Sequence, residues 1–583
     1  MSRLILTNKK SYFYDLCQIN KNYGLVESGV REDNIFFINY KKVKINNYNY
    51  YTIGDDFIAS VGTFIYKGMI GKEAFFSLYK DYSKNNIAYI RKKLIGTYAL
   101  VIKKGKKIVV FIDESGNYAL YYYKNKDYYL VTNLVYHIGM ITKAKIDNAT
   151  VLEELNEYCI LDNRTFFEDT LRLMSDEILE VDTVKNQLAV LKIQCSRYEL
   201  KYRSFEDIVD IISFTITKYA KLQTLWSDNK VLYMTGGMDS RLTLAGDIAV
   251  GCCPKLANWQ GAPVYMNTKI EDQHLCKQIA EAIGLAFEFI DVSEEVPHEI
   301  STSDFERIGE YACIYGNNKK WHDYFCKTNE ILFDFGYFGE TVKEWTPLEF
   351  RYHSDFTITD YADLYLNRQK HLYVNYDNRA VVAYRNGIIN KLRQMCIQYE
   401  LNENCLSKEN CMFLYYIYRT HADTKMVNFA NIYGYSFNLY AQKELIDYIN
   451  QTPYKYKQNG KLNLALTQKL CPKLMELPYF SHCHYINYNK KKMILEDSQL
   501  NSFSSKIKRM IPDSLKGIIK KAIGKEANPM KSINDIIEFF SLDKICVGWL
   551  PRIDANTYSS VGEYKSYYDH YTMLKDCINN ELD

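Results

Sequence analysis

The run Val231-Leu232-Tyr233-Met234-Thr235-Gly236-Gly237-Met238-Asp239-Ser240-Arg241 constrains this chain more than any other. An apolar, β-prone stretch enters a Gly-Gly turn, and Asp-Ser then opens the helical pattern Arg241-Leu242-Thr243-Leu244-Ala245. A strand, a tight turn and a helix start form the geometry that cradles phosphate. Backbone without side chains approaches the anion, and exposed N–H groups and the helix dipole point at it. Asp239 adds a carboxylate where a magnesium ion on the phosphates would need one. The spacing is not that of a Walker A loop, which needs Gly, four residues and then Gly-Lys-Ser/Thr, and Gly68-Met69-Ile70-Gly71-Lys72-Glu73 does not supply that pattern either.

The surroundings of this loop predict a doubly wound α/β domain. From about 203 to 485, longer helices alternate with strands. Ser204 to Lys221 reads as a helix, Val231–Met234 as a first strand and Lys255–Trp259 as a second. Asp272–Ile283 reads as a helix closed by Gly284, and Ala286–Asp291 as a third strand. Alternation of this length argues for a parallel sheet with helices on both faces, whose ligands sit at the C-terminal ends of the strands. Glu330 to Glu340 is another strand running into a Gly-bearing turn with an acid, through Gly336 and Gly339. Asp239 and Glu340, on neighbouring loops, are then placed to share a magnesium ion. The alternative for Glu340 is a solvated loop acid.

Residues 1–200 alternate short β-like runs with turns. Ile35–Ile38, Tyr98–Ile102, Ile108–Ile112 and Tyr128–Thr132 read as strands, with helical stretches near 72–93 and 148–158. An α+β layered domain follows.

Two sets of motifs carry a family resemblance over roughly residues 40–480. Thr235-Gly236-Gly237-Met238-Asp239-Ser240 resembles the Ser-Gly-Gly-x-Asp-Ser loop of the ATP pyrophosphatase (PP-loop) superfamily, whose members cleave ATP between the α and β phosphates and make adenylates. Gly96-Thr97-Tyr98-Ala99 and Asp113-Glu114-Ser115-Gly116-Asn117-Tyr118-Ala119-Leu120-Tyr121-Tyr122 resemble the N-terminal domain of asparagine synthetases, a class II glutaminase of the N-terminal-nucleophile (Ntn) hydrolase fold. The resemblance continues through Gly261, Asp272, Ala280, Ile283-Gly284 and Phe287–Ile290, and through Phe335–Glu340, which is similar to the family's Ser-Gly-x-Gly-Ala-Asp-Glu element. Tyr435–Leu439, Gly460–Leu466 and Cys471–Leu474 also have family counterparts.

The resemblance implies a degenerate glutaminase-like domain over 1–200 and an ATP-binding synthetase domain over 201–490, and beyond it the chain's own pattern reads as a helical, basic extension over 491–583. It implies ATP and Mg2+ as cofactors, with Thr235, Gly236, Gly237, Met238, Asp239, Ser240, Leu256 and Gly336 around the nucleotide. Leu256 would line the adenine pocket, and sheet core is the competing reading for it. Asp239 and Glu340 would hold the metal. Departures are equally specific. Residue 2 is Ser where the family's nucleophile is Cys, and Val61-Gly62-Thr63 stands where the family has Asn-Gly-Glu. The family's Arg-x-Lys, whose lysine supports acyl transfer, is replaced by Met475-Glu476-Leu477-Pro478-Tyr479-Phe480-Ser481. Lys461 and Arg241 are the cations left to serve, with Arg241 suited to grip a phosphate or carboxylate bidentately.

Composition bounds the rest. The chain has 583 residues, a net charge of +3 and 25% charged residues, so it carries no polyelectrolyte signature and no nucleic-acid partner is expected. The N-terminal run has no apolar signal core, no segment is long enough to span a bilayer, and fifteen cysteines lack paired spacing. A cytoplasmic protein with reduced thiols is expected. His482-Cys483-His484 reads as packing rather than metal binding. Residues 506–525 form a basic amphipathic pattern that either packs on its own protein or meets an anionic membrane or a partner. The expected activity is an asparagine synthetase-like, ATP-dependent ligase. It adenylates a small-molecule or peptide carboxylate and passes it to ammonia or an amine, without its own glutaminase. Rivals are a non-catalytic ATP- or partner-binding relative and a membrane-associated assembly protein. The product, and whether the chain forms a homodimer, stay open.

Overall fold

A computed structural model describes residues 2–259, 266–290, 319–344, 356–367 and 378–486, apart from 23, 146, 148–149, 151–152, 154–158, 423 and 482–483. It is a mixed α/β protein with two six-stranded antiparallel sheets and one five-stranded parallel sheet.

The antiparallel sheets stack in the first two hundred residues. One runs Thr170–Arg172, Tyr121–Lys124, Tyr129–Thr132, Leu4–Thr7, Phe36–Tyr40, Glu27–Glu32 across its width. The other runs Gln187–Lys192, Glu177–Asp182, Lys107–Ile112, Leu94–Lys104, Asp56–Tyr66, Tyr50–Ile53. The period of two along each strand sorts the side chains. Leu4, Leu6, Phe37, Phe57, Ala59, Val61, Ala99 and Val101 meet between the sheets. The intervening Ile5 and Ile38 face helix Lys10–Asn22 through Phe13 and Leu16. Ile58, Phe64, Tyr98, Leu100 and Ile102 face helices Gly71–Tyr82 and Ile87–Lys93. Four layers result, helix–sheet–sheet–helix. Strands buried on both faces read as unbroken apolar runs, which is why Tyr98–Ile102 stands out in the sequence. The single helical stretch expected near 72–93 is two helices, because Asn86 caps the second by accepting from the Tyr89 N–H. The 148–158 helix lies largely outside the described residues.

The parallel sheet has the order Phe287–Ile290, Lys255–Trp259, Lys230–Tyr233, Leu332–Asp334, Tyr435–Ser436. Leu232, Met234 and Leu256 lie under helices Met238–Ala249 and Met266–Ile283. Val231, Tyr233, Ala257 and Phe333 lie under helices Lys319–Lys327 and Thr424–Tyr433 on the other face. The helix expected from Asp272 begins earlier, at Met266, and Gly284 closes it in the left-handed region at φ 84°. Helix Phe205–Gln223 starts at a complete capping box of Ser204 and Asp207. The first strand is the central one. Its successor in sequence pairs on one side, and the Leu332–Asp334 strand pairs on the other. A switch point of this kind leaves a crevice beyond the strands' carboxyl ends.

Polar side chains stitch the sandwich to the parallel sheet. The buried Lys42 ammonium donates to Asn431 O and Oδ1, and Thr63 Oγ1 donates to Asn431 Oδ1. Asn428 Nδ2 donates to Asn117 O, Asn428 Oδ1 accepts from the Ala119 N–H, and Asn117 Nδ2 donates to Ala441 O across the seam. The Gly96 N–H donates to Gln442 Oε1. Among the described residues no helix is long and apolar enough to cross a membrane. The 506–525 pattern and His482-Cys483 lie outside the described residues.

Candidate functional site

The Thr235–Gly237 turn and the Phe335–Glu340 turn both leave the sheet at this switch point and touch. A Cβ built on Gly336, at φ 61°, would lie 3.0 Å from Ser240 Cα, and one on Gly339 would lie 2.6 Å from Asp239 Cβ. Only glycine permits that approach, so the two Gly-acid elements seen in the sequence form one site. A third glycine completes it. Gly460, at φ 70°, begins helix Lys461–Leu470, and a Cβ there would strike Met238 Sδ at 2.7 Å.

Side chains fix the first turn internally. The Thr235 N–H donates to Ser240 Oγ at 3.0 Å, and Ser240 Oγ donates to Thr235 O at 3.1 Å. The Gly236 N–H donates to Asp272 Oδ1 at 2.5 Å, and Asp272 Oδ2 accepts from Asn258 Nδ2 at 3.0 Å. Gly237 caps helix Met238–Ala249, and among the described residues no side chain caps that helix start. One glycine amide is therefore held by a buried carboxylate, while the first-turn amides of a twelve-residue helix remain for an anion.

The two acids carry cations. Lys343 Nζ lies 2.8 Å from Asp239 Oδ2, and Arg419 Nε lies 2.5 Å from Glu340 Oε1. Burial pushes the Asp239 carboxyl above its ordinary range. Lys343 opposes that shift and the Glu340 charge adds to it, so the two acids sense each other. Asp239 Oδ1 is buried and has no hydrogen-bond partner among the described residues. An orphaned carboxylate oxygen beside a second acid and an open helix start suits magnesium, which takes one or two carboxylates along with substrate phosphates and waters. Among the described residues no group of three or more His, Cys, Asp and Glu gathers, so a metal cage made by protein alone is not built here.

Three sequence candidates fall elsewhere. Arg241 is fully buried, and its guanidinium donates to the carbonyls of Leu474, Leu477, Gly236 and Pro478 at 2.7–3.3 Å while stacking 3.8 Å from the Tyr479 ring centroid. It ties the loop to the Pro472–Glu476 turn and does not face the Asp239 carboxylate, because residues two apart on a helix point in different directions. Lys461 is exposed, with its ammonium over the Phe205 and Tyr456 rings at 4.5 and 5.2 Å. Leu256 is core: it pairs in register with Leu232 and is sealed beneath the helices. Lys343, Arg419 and the loop-holding role of Asp272 were not foreseen. Lys343 left no local signal: it is the extended residue after the Gly339–Val342 3-10 turn, and it reaches Asp239 across 104 residues of chain.

Beneath the site lies a sealed network. Lys230 Nζ reaches Asp247 Oδ1 at 2.8 Å, Asp334 Oδ2 at 2.9 Å and Gln223 Oε1 at 2.6 Å, with all three charged side chains buried. Asp334 also accepts from the Gly336 N–H at 3.3 Å, so the network anchors the second loop. Burial and the Asp334 charge hold the Asp247 carboxyl up at about 6 against the pull of Lys230.

In the sandwich, Ser2 is buried, its carbonyl accepts from Asn133 Nδ2 at 3.0 Å, and its hydroxyl has no hydrogen-bond partner among the described residues. Val61 packs between the sheets.

No protein-family model matches the chain, and no curated protein does. Among solved structures it is similar to the glutamine phosphoribosylpyrophosphate amidotransferase of B. subtilis complexed with ADP and GMP. That match has 10% identity, covers 52% of this chain and 69% of the other, and has a TM-score of 0.22. It is also similar to a structure described as the allosteric regulatory enzyme of purine biosynthesis, at 8% identity over 51% of this chain and 82% of the other, with a TM-score of 0.23.

Proposed function

We propose that this chain is an asparagine synthetase-like, ATP-dependent ligase of the PP-loop type. It forms an amide from a small-molecule or peptide carboxylate and ammonia or an amine. The observation that carries the reading is the contact between the two Gly-acid turns at the switch point, which brings Asp239 and Glu340 together beside an uncapped helix start. The layering of two antiparallel sheets between helices supports an Ntn-hydrolase-like first domain, and the parallel sheet with helices on both faces supports a doubly wound nucleotide domain.

In this reading the first-turn amides after Gly237 bind the phosphates, and the Thr235–Ser240 hydroxyl pair keeps the turn in shape. Asp239 and Glu340 would hold magnesium, which neutralises charge on the pyrophosphate as it leaves. The substrate carboxylate attacks the α-phosphate, and the amine then attacks the acyl-adenylate carbonyl, expelling AMP. The acceleration comes from positioning and from preformed dipoles. Arg241, tied to four carbonyls, sets the loop against the Pro472–Glu476 turn.

A buried Ser2 and the apolar Val61 between the sheets support a first domain that has lost glutamine hydrolysis and serves as scaffold. Nitrogen then enters as ammonia or as the amine substrate itself. The test is carboxylate-dependent exchange of labelled pyrophosphate into ATP across a panel of amino acids, sugar acids and peptides. Exchange with at least one class is expected. Binding of ATP without exchange or AMP formation for any of them would favour the non-catalytic relative.

A further inference from the structure

We infer that Lys343 is a built-in counter-cation of Asp239, exchanged for a divalent ion when metal and nucleotide arrive and thereby released toward the nucleotide's phosphates. The inference rests on the proposed ligase reading for the nucleotide, but its metal step stands on the site's own geometry.

Two lysine–aspartate contacts in this domain, one sealed and one part-buried, differ in construction. The Lys230 ammonium is sealed at 0% exposure and spends its donors on Asp247, Asp334 and Gln223. An ammonium has three donors, so that lysine is saturated and structural. Lys343 sits in the same region with a single acceptor among the described residues, Asp239 Oδ2 at 2.8 Å. Its side chain is 28% exposed and that of Asp239 is 25% exposed. One bond and a flexible four-carbon stem let Lys343 leave without disrupting the fold. The carboxylate it holds has its other oxygen, Oδ1, buried and unbonded among the described residues. Asp239 is thus half-satisfied by a removable cation.

Charge counting gives the direction of the exchange. Asp239 and Glu340 contribute two negative charges, and Lys343 and Arg419 two positive ones, so these four side chains balance. A divalent ion on Asp239 competes directly with the Lys343 ammonium for that carboxylate. Once displaced, Lys343 stays anchored at the end of the Gly339–Val342 turn beside the uncapped helix start, where the phosphates of the proposed nucleotide would lie. It supplies there a cation that the chain lacks after the Pro472–Glu476 turn, and it would touch substrate as a catalytic residue, unlike Lys461.

The first arm of the test uses the full chain and metal alone, without nucleotide. In EDTA, Lys343→Met should melt below wild type, because Asp239 loses its partner. Millimolar MgCl2 should raise the Tm of that variant by at least ~3 °C more than it raises wild type. Lys343→Arg should behave as wild type. The double variant Asp239→Asn/Lys343→Met, which removes both charges and keeps the residue sizes, should fold and lose the magnesium response. If Lys343→Met fails to fold, Lys343→Gln takes its place, with recovery of folded protein in MgCl2 over EDTA as the readout. The second arm measures binding of α,β-methylene-ATP with magnesium. Lys343→Met should require less magnesium for half-saturation and bind the nucleotide about tenfold more weakly, a drop of about 1.4 kcal/mol. Equal magnesium responses in wild type and Lys343→Met would overturn the exchange. Absence of nucleotide binding by wild type, with the metal response of Lys343→Met intact, would sink the ligase reading and leave the exchange standing.

Discussion

Gly339→Ala probes whether the two acid-bearing turns form one site. The added Cβ would lie 2.6 Å from Asp239 Cβ, 3.0 Å from Asp239 Cα and 3.3 Å from Asp239 Cγ. Carbon atoms in contact sit at about 3.5–4.0 Å, so the turns must part by roughly 1 Å. The atoms struck belong to the backbone and root of Asp239 and cannot rotate away. The φ of Gly339 lies outside the left-handed region, so alanine suits its backbone and the effect is purely one of crowding. Overpacking of this kind costs about 1–3 kcal/mol. A displacement of roughly 1 Å in the site should lower pyrophosphate exchange on the order of a hundredfold. Gly387→Ala is the control. Gly387 is exposed within helix Asn378–Gln398 and a Cβ there meets nothing within 4 Å, so alanine should stabilise by about 0.5–1 kcal/mol. Urea unfolding of both variants beside wild type decides the matter. A Gly339→Ala midpoint equal to or above wild type would refute the contact, and with it the claim that Asp239 and Glu340 act together.

Other residues make separate predictions. Arg241→Leu leaves four carbonyls without donors and should cost about 3 kcal/mol or more in denaturant unfolding, and Arg241→Lys, lacking the planar fork, should recover little of it. The Asp247 carboxyl, held at about 6, is raised above its unfolded value near 3.9, so the folded protein binds more protons between those limits. Wild type should therefore lose stability relative to Asp247→Asn as the pH rises from about 4 to about 6, with no further relative change above it; a flat difference across that window would contradict the shift. In the first domain, glutamate release from glutamine should be the same for wild type and Ser2→Ala, and a clear excess in wild type would show a working nucleophile.

The parts of this fold legible in the sequence are those set by local pattern. Val231–Met234, Lys255–Trp259 and the Ser204 helix start follow from apolar runs and capping chemistry, and they stand within a residue or two of their expected limits. The union of the Asp239 and Glu340 turns was legible because the same strand–Gly–acid pattern occurs twice in one parallel sheet. Direction was not legible. Arg241 and Lys461 carry the right charge at the right stretch of chain, but helix phase turns Arg241 onto carbonyls and aromatic rings hold Lys461 outward. Leu256 illustrates the same point in a strand, where the period of two puts it beneath the helices with Leu232. Arg419 reaches Glu340 from a helix far along the chain, and long-range pairs of that kind leave no local signal. Phe338 occupies the left-handed region at φ 69°, a conformation costing about 1–2 kcal/mol, and the complete burial of its ring explains how a non-glycine residue is kept there.

The most direct test of the account is a calorimetric titration of α,β-methylene-ATP with magnesium into wild type and into Asp239→Asn. Saturable one-to-one binding by wild type, weakened at least about tenfold by the loss of a single carboxylate charge, is the predicted result. Equal affinity in the two proteins, or no binding by wild type, would contradict the placement of a metal-bound triphosphate against Gly236, Gly237 and Asp239.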